Sequence, residues 1–134
     1  MKFAVRYYSK TGHTTKLAKA IADAVGVEAK TVDVPLEEDV DILFLGSAVY
    51  ATALDANVKQ FIDSINVNVG KVVSFSSAAI LSGTYKQVKA ACEKKGIAVA
   101  DEEFFCKGQF KMIAKGRPNA QDEADAAAFA KKFL

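Results

Sequence analysis

The sequence "SKTGHTTK", Ser9 to Lys16, joins two segments of different periodicity. The segment before it, Lys2 to Tyr8, has the β-branched and aromatic content of a strand. In the segment after it, apolar residues recur at the spacing of one helix face, at Leu17, Ile21, Ala24 and Val25. Gly26, which follows, is typical of a helix C-terminus. The stretch therefore predicts a strand that turns through a small polar loop directly into a helix.

This loop has the composition of an anion site. The first turn of a helix leaves backbone N–H groups without helical partners. These donors, together with the positive end of the helix dipole, favour an anion, most simply a phosphate. Gly12 lets the backbone approach a ligand closely, and hydroxyl donors are available from Ser9, Thr11, Thr14 and Thr15. The alternative interpretation is an ordinary turn in which Thr14 is the N-cap of the helix.

Strand-type and helix-type segments alternate along the rest of the chain. Further strands are predicted over residues 27–34, 41–50, 70–77 and 97–109, the last with an irregularity near residues 101–103. Helices are predicted over residues 55–65 and 83–96 and after residue 118. Their ends are marked by Asp55 and Asn119 as N-caps and by Gly96 as a stop. The order β-α-β-β-α-β-α-β-α predicts an α/β fold with an open, doubly wound, five-stranded parallel sheet.

The segment between the second and third strands, Pro35 to Val40, is too short to contain a crossover helix. If those strands flank the first strand, the link must span about 19 Å from the top of the sheet to the bottom. Six extended residues reach about 20 Å. We therefore expect a nearly straight connection here.

The composition limits the function classes. The 134 residues predict one domain, 1–134, with a real hydrophobic core at 51% hydrophobic content. A net charge of +2, with no basic stripe interleaved with aromatics, argues against nucleic acid as a partner. No apolar run is long enough for a membrane span, and no secretory signal is recognisable at the N-terminus. Because the two cysteines share no close motif, we expect a reduced, cytoplasmic protein.

Three loops are expected at one edge of the sheet. Ligands of doubly wound sheets bind beyond the carboxyl ends of the strands, where the winding reverses. The loops there are 9–15, 46–55 and 74–83, and all are poor in charge and rich in small residues. They suit a flat, partly apolar ligand whose charged end lies in the first loop. Tyr50 offers either an aromatic face for that ligand or a hydrophobic cover for the helix that follows.

Three motifs in register resemble the flavodoxin family. "SKTGHTTKLAKAIA" is similar to its phosphate-loop signature, Ser/Thr-x-Thr-Gly-x-Thr, at the exit of the first strand. "DILFLGSAVYA" resembles its third strand and the loop that touches the isoalloxazine ring. "FFCKGQF" and "GRPNAQDEADAAAFAKKF" resemble its last strand and helix. The resemblance covers essentially the whole chain and implies the short-chain type, with three α/β/α layers and strand order 2-1-3-4-5.

The resemblance implies flavin mononucleotide (FMN) as the cofactor and assigns residues to it. The FMN phosphate would be held by Ser9, Lys10, Thr11, Gly12, His13 and Thr14. One side of the flavin would be lined by Ser47, Ala48, Val49, Tyr50 and Ala51. The other side would be closed by Ser76, Ser77, Ala78 and Ile80. No catalytic residue and no metal ligand is assigned, and we expect His13 to be exposed rather than catalytic.

The chain departs from the family pattern at three points, one of which is that no glycine lies between Gly46 and Gly70, where many flavodoxins have one in the loop after the third strand. Many flavodoxins have an aromatic residue in the loop after the fourth strand, where this chain has Ile80 and Leu81. Typical flavodoxins are strongly acidic, and this chain is not. We expect aliphatic packing on that side of the flavin and a different partner surface.

The chain lacks the sequence motifs of three other classes of protein. Receiver domains need acidic residues at the end of the first strand, where Tyr7, Tyr8 and Ser9 stand. Low-molecular-weight phosphatases need an arginine six positions after a cysteine, but Ala98 follows Cys92 and Met112 follows Cys106 at that spacing. The Walker P-loop string is absent from the sequence.

Two function classes follow from the resemblance. The first is a monomeric carrier that passes low-potential electrons between a reductase and an acceptor protein. The second is a small FMN-dependent oxidoreductase or quinone-type reductase. A flavin-free interaction module with an anion site is a weaker third interpretation. The carrier is favoured because no catalytic acid, base or nucleophile stands out in the three loops.

Overall fold

The computed structural model describes residues 1–9, 12–48, 55–78, 85–107 and 119–134. Within them five parallel strands form one sheet of order β2-β1-β3-β4-β5, so the predicted topology is confirmed. The strands are β1 (Phe3–Tyr7), β2 (Ala29–Thr31), β3 (Val40–Ala48), β4 (Val69–Ala78) and β5 (Val99–Lys107). The helices are α1 (His13–Val25), α2 (Ala56–Ser64), α3 (Tyr85–Lys94) and α4 (Ala120–Lys131).

Three helix termini lie where the sequence predicts them. Asp55 accepts a hydrogen bond from the Asn57 backbone N–H at 2.7 Å, so it caps α2. Asn119 and Asp122 form a reciprocal capping box at the start of α4. Gly26 follows α1 with a φ of 77°, in the left-handed region that favours glycine. None of the described helices is both long and apolar enough to cross a membrane.

The second strand is shorter than predicted. β2 has three residues rather than eight because the chain turns after Thr31, whose carbonyl accepts the Val34 N–H at 3.1 Å. β2 pairs only with the upper half of β1, Val5 to Tyr7. The connection that follows, residues 32–39, contains no helix, as predicted. The irregularity in β5 is also confirmed, since the register with β4 shifts between Val99 and Glu103.

The sheet has an apolar core on each face. Alternate residues of β3 point to opposite faces: Leu43 and Leu45 pack with α2 and α3, whereas Ile42 and Phe44 pack with α1 and α4. β4 continues both cores through Val72 on the first face and Val73 and Phe75 on the second. This two-sided burial explains the nearly continuous apolar runs of both strands. Cys92 of α3 is fully buried in the first core, and burial raises the pKa of its thiol to about 11.

Gly46 lets β4 pack closely on β3. A Cβ atom at this position would lie 2.3 Å from the Cζ atom of Phe75, far inside van der Waals contact. The Gly46 carbonyl also accepts the Tyr8 backbone N–H at 3.1 Å, which fixes the end of β1. The packing of the Phe75 ring therefore requires a glycine at position 46, near the carboxyl edge of the sheet.

Arg6 binds the helix-free connection between β2 and β3. Its side chain is only 7% exposed, beneath residues 32–39. Nε donates to the Val34 carbonyl at 2.8 Å, and Nη2 donates to the Pro35 carbonyl at 3.4 Å. Burial lowers the pKa of the guanidinium, and the charge of Glu37 acts in the opposite direction. The carbonyl bonds therefore stabilise a charge that is largely removed from water.

Replacing Gly46 tests the packing requirement. We expect Gly46→Ala to lower the free energy of unfolding by about 2 kcal/mol, because the new methyl group overlaps the Phe75 ring. In a Phe75→Leu background the same change should cost clearly less, since the ring is gone. Urea denaturation of the four proteins of this cycle measures the coupling. An equal cost in both backgrounds would contradict the interpretation.

Replacing Arg6 tests its role under the connection. We expect Arg6→Met to lower the free energy of unfolding by about 2–3 kcal/mol, because the carbonyls of Val34 and Pro35 lose a charged donor. Lys30→Met is the matched control on the exposed neighbouring strand, where a change within about 0.5 kcal/mol is expected. Urea denaturation measures both, and similar losses would show that Arg6 has no special role.

Candidate functional site

The predicted loops leave the sheet from neighbouring strands at one edge. Tyr7 of β1 is level with Gly46 of β3, and Gly46 is level with Phe75 of β4. The chain continues from β1 to β2 on one side and from β3 to β4 on the other, so the winding reverses between β1 and β3. This switch point is where a doubly wound sheet opens a crevice for a ligand.

A glycine begins the first helix at this crevice. Gly12 is the N-cap of α1, with a φ of 86° and no side-chain hydrogen bond to the helix. Its backbone N–H donates to the Ser9 Oγ atom at 2.9 Å, which closes the turn after β1. The interpretation of Thr14 as the N-cap is wrong, because α1 begins at His13 and Thr14 lies inside the first turn. A glycine in the left-handed conformation closes this turn, and a threonine would be strained there.

The N-terminus of α1 fits an anion. The helix runs for 13 residues behind Gly12, and its first turn contains no acidic residue. Apart from the two chain neighbours of Gly12, no atom of the described residues lies within 4 Å of the position that a Cβ atom would take there. Because no side chain of the N-cap bonds to the helix, an external acceptor can take that place. These features fit the phosphate end of a mononucleotide.

Ser47 and Ser76 lie side by side near the carboxyl ends of the two central strands. They are partners in the register of β3 and β4, and both side chains are fully buried. Leu45 and Val72 of the same strands pack in the core under α2 and α3, so the two serines point to that face as well. Their hydroxyl groups are therefore buried on that face, near the carboxyl ends of β3 and β4.

Ser74 is a polar residue of this region that the sequence prediction missed. It precedes Ser76 by two residues on the same face, and it is fully buried. Among the described residues, Ser74 Oγ and Ser76 Oγ are the buried side-chain oxygens that have no hydrogen-bond partner. An unsatisfied buried hydroxyl costs about 1–3 kcal/mol. The signal in the sequence was serine at alternate positions of an otherwise apolar strand.

The other predicted site residues are only partly described. Lys10, Thr11, Val49, Tyr50, Ala51 and Ile80 lie outside the described residues. For a second group the structure describes the backbone only: His13 opens α1, and strand ends are formed by Ala48, Ser77 and Ala78. Within the described ranges, no group of three His, Cys, Asp or Glu side chains is placed to hold a metal ion.

Comparison with known proteins identifies the family. The sequence model of the flavodoxin domain matches residues 4–128. An uncharacterized protein of Methanocaldococcus jannaschii is 29% identical over 136 residues, which cover 91% of this chain and 90% of that protein.

Two solved structures share the fold. A flavodoxin from the domain Archaea superposes with a TM-score of 0.76 at 19% identity, covering 98% of this chain and 95% of that one. A flavoprotein of Lactobacillus acidophilus, solved in complex with FMN, superposes with a TM-score of 0.64 at 17% identity, covering 79% of this chain and 92% of that one. Since the family model matches residues 4–128 of the 134 in the chain, the chain belongs to the flavodoxin family.

Proposed function

We propose that this protein binds FMN in the crevice between β1 and β3 and carries low-potential electrons between a reductase and an acceptor protein. The observation that carries the proposal is the glycine-led N-terminus of α1 at the switch point of the sheet. Membership of the flavodoxin family supports it, as does the FMN complex of the Lactobacillus flavoprotein. We further propose that the carrier is monomeric and cytoplasmic.

The phosphate end of FMN is proposed to bind at the turn before α1. Ser9 Oγ accepts the Gly12 N–H at 2.9 Å, so these two residues are held together at the start of α1. The dipole of α1 adds a favourable field for the phosphate. In this proposal the contacts come from Ser9, Lys10, Thr11, Gly12, His13 and Thr14. Neutral donors dominate the set, so binding depends mainly on the geometry of the turn.

The flavin ring is proposed to lie between the loops that follow β3 and β4. When bound, FMN supplies the redox chemistry, and the protein supplies orientation and electrostatics. The β3 side consists of Ser47, Ala48, Val49, Tyr50 and Ala51. The β4 side consists of Ser76, Ser77, Ala78 and Ile80. Small side chains at both strand ends allow the backbone to approach a flat ring, and the buried hydroxyls of Ser47 and Ser76 give polar support beneath it.

The carrier and an FMN-dependent reductase differ in turnover. A carrier is reduced rapidly by a ferredoxin-type reductase and shows no steady oxidation of NAD(P)H with a quinone. Stopped-flow reduction followed by a steady-state assay with the FMN-loaded protein separates the two classes. Sustained turnover of NAD(P)H would overturn the carrier assignment and leave the cofactor assignment intact.

Two matched glycine variants test the phosphate site. Gly12 and Gly26 both have a positive φ and open space around the position of a Cβ atom. We expect Gly12→Ala and Gly26→Ala to lose similar stability, about 1–2 kcal/mol, because alanine is strained in this region. Only Gly12→Ala should also weaken FMN binding, by about tenfold or about 1.4 kcal/mol, because its methyl group would enter the open space at the start of α1 where the phosphate is proposed to bind.

The measurement is an FMN titration of the colourless protein, followed by fluorescence quenching and thermal stabilisation. FMN at 100 times its dissociation constant should stabilise the wild type by about 2.7 kcal/mol. Equal FMN affinity of the two variants would contradict the phosphate site. Absence of both quenching and stabilisation in the wild type would end the cofactor assignment.

A further inference from the structure

α3 is held to the rest of the protein by fewer buried side chains than any other helix. Among its ten residues, Val88 and Cys92 are the two that are fully buried. α1, α2 and α4 each bury at least three side chains, and those of α2 and α4 include a phenylalanine. Because hydrophobic stabilisation is roughly proportional to the apolar area removed from water, α3 gains the least from packing on the sheet.

The sheet beneath α3 buries hydroxyl groups where the rest of that core is apolar. α3 packs against β4 and β5, and β4 presents Val72, Ser74 and Ser76 at alternate positions on that face. Within the described residues, the Oγ atoms of both serines are buried without a hydrogen-bond partner. The desolvation penalty of such a hydroxyl group applies only while it is covered. Contact with water removes the penalty, so these two serines favour separation of α3 from the sheet.

The charged side chains of α3 add little to its stability. Its first turn contains Lys86 and no acidic residue, and a cation is unfavourable at this end of the helix dipole. Lys89 and Glu93 form a largely exposed ion pair at 4.0 Å, and such pairs contribute little. Lys95, which follows α3, donates from Nζ to the Asp63 carbonyl at 2.9 Å on the exposed surface. The docked position of α3 therefore depends mainly on its two buried side chains.

We propose that α3 separates from β4 and β5 as a local unit while the other elements stay folded, and that a bound cofactor keeps it docked. We call the form with α3 separated the open state. Elements held by few buried apolar contacts open locally at a lower free energy than global unfolding. The link to the cofactor rests on the proposed function, because Ser76 belongs to the β4 side of the proposed flavin site and lies on the face that α3 covers. A ligand that binds only the docked state shifts the population toward it.

Cys92 makes the opening measurable. Its thiol is fully buried in the docked state, and burial raises the pKa of this thiol to about 11. Because the thiolate is the reactive form, the docked protein reacts very slowly at this position. In the open state the thiol is exposed to solvent and reacts with iodoacetamide. Digestion followed by mass spectrometry separates the label on Cys92 from the label on Cys106, the other cysteine of the chain.

Urea separates local opening from global unfolding. Labelling of Cys92 in the cofactor-free wild type is measured at urea concentrations below the unfolding transition. We expect the rate to change by less than about twofold per molar urea, because separation of one helix exposes little surface. Labelling through global unfolding would become about tenfold faster, or more, per molar urea. A rate with that steep dependence would overturn the proposal.

Two serine variants test the cause of the opening. Ser74→Ala removes an unsatisfied hydroxyl beneath α3 and should slow Cys92 labelling by about tenfold, because the docked state loses a desolvation penalty. Ser64→Ala is the matched control at the end of α2, where the exposed Ser64 donates from Oγ to the Phe61 carbonyl at 2.7 Å. This control should not slow labelling. Equal labelling rates of Ser74→Ala and the wild type would overturn the role of the buried hydroxyl.

Hydrogen exchange of the wild type gives a second measurement without thiol chemistry. We expect the backbone amide of Cys92 in α3 to exchange at least about tenfold faster than those of Ile21 in α1 and Ile62 in α2, because α3 opens without the other helices. All three residues are buried in the docked protein, so exposure of the side chain does not explain the difference. Equal protection of the three amides would overturn the local opening.

An FMN titration distinguishes failure of this proposal from failure of the proposed function. If only the docked state binds FMN, FMN at 100 times its dissociation constant slows Cys92 labelling by about 100-fold. Normal FMN binding with an unchanged labelling rate would overturn the link between α3 and the cofactor alone. Failure of FMN to bind would end the proposed function and this link. The labelling of the cofactor-free protein in urea would then still decide whether α3 opens.

Discussion

Burial of β3 on both faces constrains every other element of the described chain. Leu43 and Leu45 must be covered by α2 and α3, and Phe44 by α1 and α4. Strands covered in this way are typical of parallel sheets, whose crossover connections run over the faces. All strands then end at the same edge, and the reversal of winding between β1 and β3 opens a crevice there. The candidate site is thus a consequence of how the core is buried.

The β2–β3 connection meets the same constraint without a helix. It must cover the upper part of β1 on the α2/α3 face, and Leu36 does so with an apolar side chain. Arg6 also stabilises this connection. Its guanidinium donates to the carbonyls of Val34 and Pro35, which have no regular secondary-structure partners in such a segment. The end of β1 is thereby held next to the turn that Ser9 and Gly12 form.

The residues least suited to stability concentrate at the carboxyl edge. Gly12 provides no cap side chain to α1, and Ser74 and Ser76 bury hydroxyl groups without partners. Elsewhere local choices agree with the fold, as in the capping box of Asn119 and Asp122. Sequences that specify one structure violate local rules mainly at functional sites. This contrast supports the same edge of the sheet as the place of the proposed cofactor site.

The sequence by itself determined the alternation of strands and helices, the strand order implied by the family resemblance, and the caps at Asp55 and Asn119. The alternation and the caps depend on periodicity and on contacts within a few residues, which a sequence displays directly, whereas the strand order was implied only by the resemblance to the family. Tertiary structure alone decided the short β2, the cap at Gly12 instead of Thr14, the burial of Arg6, and the pairing of Ser74 with Glu103. Each of these depends on which distant residues lie opposite in the folded sheet, and no local pattern carries that information.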